Sequence, residues 1–358
     1  MMRKQFAILV LCLLPFAGQS QVRKYTNSFL GIGVGARALG MGNSLAAGSG
    51  DVTAGYWNPA GLLGLTGKFQ LSVMHSPYFS GISNYDYAAI AKKLDENNAI
   101  GLSYIRLGID NIPNTLDLRS PDGQIDYSRV KSFSAADMAF LLSYAHLANN
   151  NKTRLGATAK IIRRKIGTFA SATGFGFDVG ALHKADDWVF GITGRDITFT
   201  FTAWKMNFTD DQKDKLIQAG QMIPKSAIES TPPSIIAAVG RTIQLNDDFT
   251  LYPELDLNIN FDGKRNTLIK TSAATIAPTM GIEGGYKKMV FVRTGLQNFQ
   301  TVYSIDGKKT PSMQWTVGAG IKLKAFCLDY AFTDIGNVSA ALYSHVFSLK
   351  FIIGEEGE

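Results

Sequence analysis

The chain has 358 residues and a formal net charge of +7, with 36 Lys and Arg against 29 Asp and Glu. It is 46% hydrophobic and carries 22 Phe, 13 Tyr and 36 Gly but only 11 Pro and two Cys. Acidic residues are scattered through every segment, which argues against a nucleic-acid partner, and no later run of about 18 apolar residues offers a transmembrane helix.

Residues 1–20 read as a signal peptide. Arg3 and Lys4 form a basic start, "FAILVLCLLPF" is an apolar run too short to span a bilayer, and "AGQS" supplies small residues for cleavage after Ser20. Removing Arg3 and Lys4 with it lowers the formal charge from +7 to +5. Leu11 stands before Cys12 where a lipoprotein signal wants a small residue, which argues against acylation. Cys327 then remains alone, so no internal disulfide is expected. An exported chain without an apolar helix, rich in aromatics and glycine, reads as a soluble β protein or an outer-membrane barrel.

Residues 21–66 show no long alternation and are rich in Gly and Ala. Short helical pieces are expected near Ala36 to Ala47 and from Pro59 to about Leu63. In "GYWNPAG", Asn58 is suited to cap a helix by accepting a backbone N–H bond, and Pro59 to its first position, where a missing N–H costs nothing.

From Gly67 onward the period is two. "TLYPELDLNINFD" puts Leu251, Pro253, Leu255, Leu257, Ile259 and Phe261 on one face and Tyr252, Glu254, Asp256, Asn258, Asn260 and Asp262 on the other. "MQWTVGAGIKLK", "FCLDYAFTD" and "SHVFSLKF" repeat the pattern. Apolar outside and polar or Gly inside is the pattern of a tilted lipid-spanning strand. About fourteen such segments are expected, starting near residues 67, 84, 97, 132, 152, 171, 187, 234, 247, 275, 289, 312, 325 and 341. Connections alternate between longer ones, including 109–131, 196–233, 262–274 and 299–311, and short ones such as "LDENN", "ADD" and "KA". Long outer loops and short periplasmic turns give that alternation in outer-membrane barrels. The expected fold class is all-β: a transmembrane antiparallel β-barrel of about 14 strands, with an N-terminal plug, or hatch, filling a lumen that side chains alone would leave open. The domains follow as signal peptide 1–20, hatch 21–66, barrel 67–353 and tail 354–358. In the 196–233 connection, "TDDQKDKLIQAGQM" reads as a helix capped by Thr209. "FTFTAW", Phe199 to Trp204, either extends a strand into the aromatic belt or docks a partner.

The stretch "SFLGIGVGARALGMGNSLAAGSGDVTAGYWNPAGL" resembles the N-terminal signature of the PorV/PorQ family of outer-membrane proteins. The resemblance lies in Phe29, Leu30, Ala36, Arg37, Gly40, Met41, Gly42, Ala46, Asp51, Trp57, Asn58, Pro59 and Ala60. It covers about 35 residues. It implies a FadL-like barrel of fourteen strands with a hatch in its lumen, and a place in type IX secretion, with a translocon and C-terminally signalled cargo as partners. Asn-Pro-Ala is shared with long-chain fatty-acid transporters of the same larger group. The hatch motif is thus Arg37, Gly40, Gly42, Asp51, Trp57, Asn58, Pro59, Ala60 and Gly61.

Chemistry-bearing motifs are few. Gly31, Gly33 and Gly35 lack the spacing and the strand–loop–helix context of a dinucleotide loop. His75, His146, His183 and His345 have no ligand spacing, so no metal is expected. There is no G-x-S-x-G elbow and no credible catalytic set, so neither an enzyme nor a cofactor is expected. Asp178, Glu254, Asp256 and Asp329 share inward parity with Lys322 and Lys324, forming either a lumenal salt-bridge network that binds the plug to the wall or an ion or substrate path. Arg37 is a natural partner for such carboxylates. Arg163, Arg164 and Lys165 end a strand beside an outer loop, as a solvated rim or as a contact for lipopolysaccharide phosphate.

Two functions follow. One is a non-enzymatic outer-membrane barrel of type IX secretion, binding translocon or cargo for surface delivery. The alternative is a FadL-like transporter of hydrophobic small molecules.

Overall fold

The computed structural model describes residues 27–78, 81–120, 122–149, 151–263, 265–271, 273–303, 307–333 and 344–354. The expected signal peptide, the first residues of the N-terminal segment, the expected start of the last strand near 341 and the tail from 355 lie outside the described residues.

Alternating side chains build fourteen ring strands: β1 Phe69–Tyr78, β2 Ser83–Lys93, β3 Asn98–Asn114, β4 Lys131–Leu147, β5 Thr153–Ile166, β6 Ala170–Ala185, β7 Trp188–Arg195, β8 Ser234–Arg241, β9 Phe249–Asn260, β10 Thr275–Tyr286, β11 Val290–Tyr303, β12 Lys309–Leu323, β13 Phe326–Thr333 and β14 Ser344–Ile353. Each pairs antiparallel with its sequence neighbours, and β1 closes on β14 through the register Phe69↔Ile353 to His75↔Phe347. Closure removes the unpaired edges that a lipid environment would not tolerate. In β12 the burial alternates strictly from Met313 to Gly320, with Gln314 and Thr316 buried and Trp315 and Val317 exposed. Leu142, Ile161, Phe175, Ile192, Val292, Leu328 and Phe347 are exposed on the outward parity of their strands. So broad an apolar surface has no place in water and fits an acyl-chain environment.

Chain connections sort the ends of the barrel. Turns such as 94–97, 186–187 and 324–325 lie at one end, and 115–130, 196–233 and 261–274 at the other. Three connections on the long-loop end depart from the expected alternation: 79–82, 167–169 and 304–308 are short. Strands also run further into the loops than expected, so that 109–114 and 299–303 are strand. The longest connection is a hairpin extension, not open loop. The upper half of β6 pairs with Thr200–Met206, and that strand pairs with Ile228–Thr231. Between Arg195 and Thr200 the chain bulges, with Asp196 and Phe199 at positive φ. "FTFTAW" is therefore mainly a strand, with Phe201 facing outward. Helix α3, Asp210–Gln218, bears the expected Thr209 cap, completed to a capping box by Gln212. Lys215 Nζ ties it to Asp117 at 2.7 Å.

Residues 27–66 lie inside the ring and supply most of the core. Phe29, Leu39, Met41, Leu45 and Leu62 are buried against inward-facing Tyr85, Tyr87, Ile105, Leu141 and Ile162. Full burial of each large side chain contributes roughly 1.5–3 kcal/mol.

Candidate functional site

The N-terminal segment runs along the lumen. Asn27 Nδ2 donates to Thr202 Oγ1 and Thr231 Oγ1 at 3.3 and 3.0 Å, at the long-loop end. The chain leaves at the short-turn end, where Lys68 N bonds Ile353 O at 3.0 Å before β1 begins. Between lie two short helices, α1 Ala36–Gly40 and α2 Ala54–Trp57, and two 3-10 turns, Ser28–Gly31 and Pro59–Gly64. The expected helix to Ala47 stops at Gly40. Gly42 and Asn43 both take positive φ, and Met41 and Gly42 are pressed against the wall at Gly295.

Inward-facing glycines of the wall make this packing possible. A Cβ on Gly156 would overlap the backbone of Pro59 and Ala60, and one on Gly180 would overlap Asn58 Oδ1. Gly40 faces Gly318, where an added Cβ would lie 3.1 Å from the Gly318 Cα. On the segment's own side, a Cβ on Gly61 would overlap Ser49 O.

Asn58 is fully buried and satisfies four groups. Its Oδ1 accepts from Ala60 N at 3.2 Å, and its Nδ2 donates to Ala46 O and Ala181 O at 3.2 Å and to Ile192 O at 3.5 Å. The residue therefore caps the Pro59–Gly64 turn and also stitches the segment to β6 and β7. Loss of the cap alone costs about 0.5–2 kcal/mol. Trp57 Nε1 donates to Val34 O at 2.9 Å, and the ring meets Tyr56 edge-on at 4.9 Å.

Charge fastens the same segment. Arg37 grips Glu283 through Nε and Nη2, both at 2.9 Å, and Arg293 joins Glu283 at 2.6 Å to Asp329 at 2.7 Å. Asp51 pairs with Lys350 at 2.6 Å. Glu254 accepts from Ala47 N and Gly48 N at 2.7 and 2.8 Å, and Asp256 from Leu45 N and Ala46 N, both at 3.1 Å. Four backbone donors of one turn are thus held by two wall carboxylates.

The cations differ from the expected set. Lys324 is exposed in the turn after β12, at φ 44°, outside the lumen, because β12 ends at Leu323. Lys322 faces inward but is half-buried near the mouth. Lys160, Arg293 and Lys350 of the wall reach the carboxylates, with Arg37 from the segment. Lys160 joins Asp178 at 2.7 Å and Asp196 at 2.6 Å. Inward parity could have revealed Lys160 and Lys350, whereas Asp196 sits on the bulge after β7, which no period marks.

The basic trio of β5 divides by parity. Arg164 turns inward to Asp137 at 2.7 Å and lies over the Trp204 ring at 5.0 Å, so it is no rim residue. Arg163 and Lys165 stay exposed on the outward face.

Above the segment, at the long-loop end, is a cavity of about 550 Å³. Its walls include Tyr56, Trp57 and Leu141 together with Asn43, Asn258, Gln297 and Gln314. Arg195 spreads over the Tyr56 and Trp57 rings at 4.6 and 5.7 Å and donates from Nη2 to Tyr56 O at 3.2 Å. Its buried Nε has no partner. An unmet guanidinium donor beside two aromatic faces is a place for a ligand with an acceptor group and an apolar body.

No protein-family model matches the chain, and no curated protein matches it. Solved structures do. The Ralstonia pickettii toluene transporter TbuX has a TM-score of 0.53 at 13% identity, over 89% of this chain and 98% of that one. A Pseudomonas aeruginosa FadL homologue gives 0.51 at 14%, over 88% and 97%. The fold is that of a FadL-like barrel. The Pseudomonas putida toluene transporter TodX gives 0.52 at 13%, over 89% and 96%. At these identities the likeness is one of fold.

Proposed function

We propose that this FadL-like barrel sits in the outer membrane, long loops outward, and takes up a small amphipathic molecule, with residues 27–66 as its hatch. The observation that carries this reading is the 550 Å³ cavity above the segment, where the unpaired Arg195 Nε meets the Tyr56–Trp57 pair. Similar barrels include toluene transporters. Here the carboxamides of Asn43, Asn258, Gln297 and Gln314 line the cavity, and their polarity favours a ligand with an acceptor end over a bare hydrocarbon. In nanodiscs, decanoate is expected to bind saturably and to lose at least about tenfold in affinity on Arg195→Gln, since a charged hydrogen bond contributes about 1.5–3 kcal/mol. Equal decanoate binding by the variant, or none by the wild type, would remove this reading.

A second reading is secretion. The N-terminal signature favours it, as does the dense fastening of the segment, since a carrier of cargo needs no open lumen. In that case translocon and cargo are the partners, and deleting the gene leaves C-terminally signalled proteins in the periplasm. Normal surface delivery without it, with no paralogue compensating, speaks for uptake.

Arg163 and Lys165 are the proposed contacts for lipopolysaccharide phosphate. Added lipopolysaccharide should raise the melting temperature of the wild type and not of an Arg163→Glu, Lys165→Glu variant. An equal rise in both would show that the contact lies elsewhere.

A further inference from the structure

We propose that the short-turn mouth of the lumen is a second binding site, for a small carboxylate- or phosphate-bearing anion. A cavity of about 330 Å³ opens there below the segment. That volume is at the lower end of ordinary small-ligand sites, roughly 300–1,000 Å³. Its wall carries Arg37, Lys152, Arg154 and Lys184 against one carboxylate, Glu283. Glu283 is already engaged by two guanidinia, those of Arg37 and Arg293.

Arg154 and Lys184 have no carboxylate within ion-pair distance among the described residues. They are neighbours on the sheet. Arg154 stands opposite Leu182 across the β5–β6 ladder, so Lys184, two residues on, shares its face on the diagonal. Diagonal neighbours are about 7–8 Å apart. Two like charges on neighbouring positions of one face repel when alone and bind an anion when it lies between them. The contrast with the rest of the lumen is direct. Lys160, Arg164, Arg293 and Lys350 each have a carboxylate oxygen at 2.6 or 2.7 Å. Those four wall cations have a counter-ion, and among the described residues Arg154 and Lys184 do not.

A separate observation concerns Ser49. This residue lines the same cavity, is 2% exposed, and its Oγ has no hydrogen-bond partner. A buried hydroxyl without a partner costs free energy that a ligand oxygen would recover. Arg154 also lies at the end of the Pro59–Gly64 turn, where a Cβ on Gly64 would sit 3.2 Å from its Nη1. The anion would therefore rest directly beneath the segment, on the side away from the outer cavity. The lining residues of the two cavities do not overlap.

The same charge pattern would serve a soluble anion or the headgroup of an anionic lipid, and two arms of one experiment separate them. Inorganic phosphate is titrated calorimetrically into the full chain in phosphatidylcholine nanodiscs and in phosphatidylglycerol nanodiscs. Saturable binding of equal affinity in both identifies a soluble anion. Binding weakened in the phosphatidylglycerol discs identifies a lipid headgroup as the competitor. In either case Arg154→Gln with Lys184→Gln should weaken phosphate at least tenfold, Ser49→Ala should weaken it less, and Arg195→Gln should leave it unchanged. The single change Lys184→Gln, at an exposed strand end, serves if the double variant does not assemble. Absence of saturable binding in both discs, or equal binding by wild type and these mouth variants, would overturn the site. The Arg195→Gln arm keeps that result separate from a failure of the uptake reading.

Discussion

Glu283→Ala is expected to loosen the N-terminal segment while leaving the barrel closed. Glu283 is the single carboxylate shared by Arg37 on the segment and Arg293 on the wall. Its loss leaves Arg293 with Asp329 and leaves Arg37 with only a 3.3 Å bond to Gly48 O. Stranding a buried charge in this way costs about 3–5 kcal/mol. The ring is spared because its backbone ladder closes through β1 and β14 independently of the segment. A planar-bilayer recording should therefore show near-zero conductance for the wild type and intermittent openings for the variant, with heat-modifiable migration retained in both. Glu283→Gln, which keeps an acceptor but no charge, should fall between them. A Glu283→Ala barrel as silent as the wild type would mean that the carboxylates at Glu254 and Asp256 hold the segment unaided.

Gly156→Val tests the same fit by volume instead of charge. The new Cβ would fall on the backbone of Pro59 and Ala60, which cannot swing aside as a side chain can. Overpacking of this kind costs about 1–3 kcal/mol and more where backbone must shift. The cap at Asn58 and its bonds to β6 and β7 would be strained together, so openings are again expected. Gly101→Ala is the matched control, since its nearest neighbours would be the Leu62 methyls at 3.3 Å, which can rotate. Equal silence in Gly156→Val and Gly101→Ala would show that the wall yields and that the glycine is not required for seating.

The ring strands were legible because lipid and lumen impose opposite solvents on alternate residues. The expected starts at 84, 97, 132 and 152 stand within a residue of Ser83, Asn98, Lys131 and Thr153. Period two also placed Asp178, Glu254, Asp256 and Asp329 on the inward face. It could not name their partners, because which cation meets which carboxylate depends on strand register and on how far each strand runs. Lys324 failed on strand length, and Arg164 on the side to which it turns. The bulge after Arg195 was illegible because its residues obey neither period, and with it the Lys160–Asp178–Asp196 cluster was hidden. The N-terminal segment offered turn chemistry at Asn58 and Pro59 but no period. Its path is dictated by glycines hundreds of residues away, and single-residue patterns carry no trace of that.

That path has a consequence for assembly. The segment runs from Asn27, bonded to Thr202 and Thr231, to Lys68, bonded to Ile353, and on the way Ala36 N bonds Ser348 Oγ at 2.8 Å and Thr316 Oγ1 bonds Gly40 O at 3.0 Å. Some of these partners lie far along the chain, Ser348 being 312 positions beyond Ala36. The segment therefore stays nearly unsupported until those sequence-distant strands are in place. A finished ring would have to be threaded; an unfinished one can wrap. The seam between β1 and β14 is thus the natural last step, with the N-terminal segment as the form around which the wall is laid. Loop-closure entropy makes such distant contacts slow to form, so this barrel should mature late and all at once.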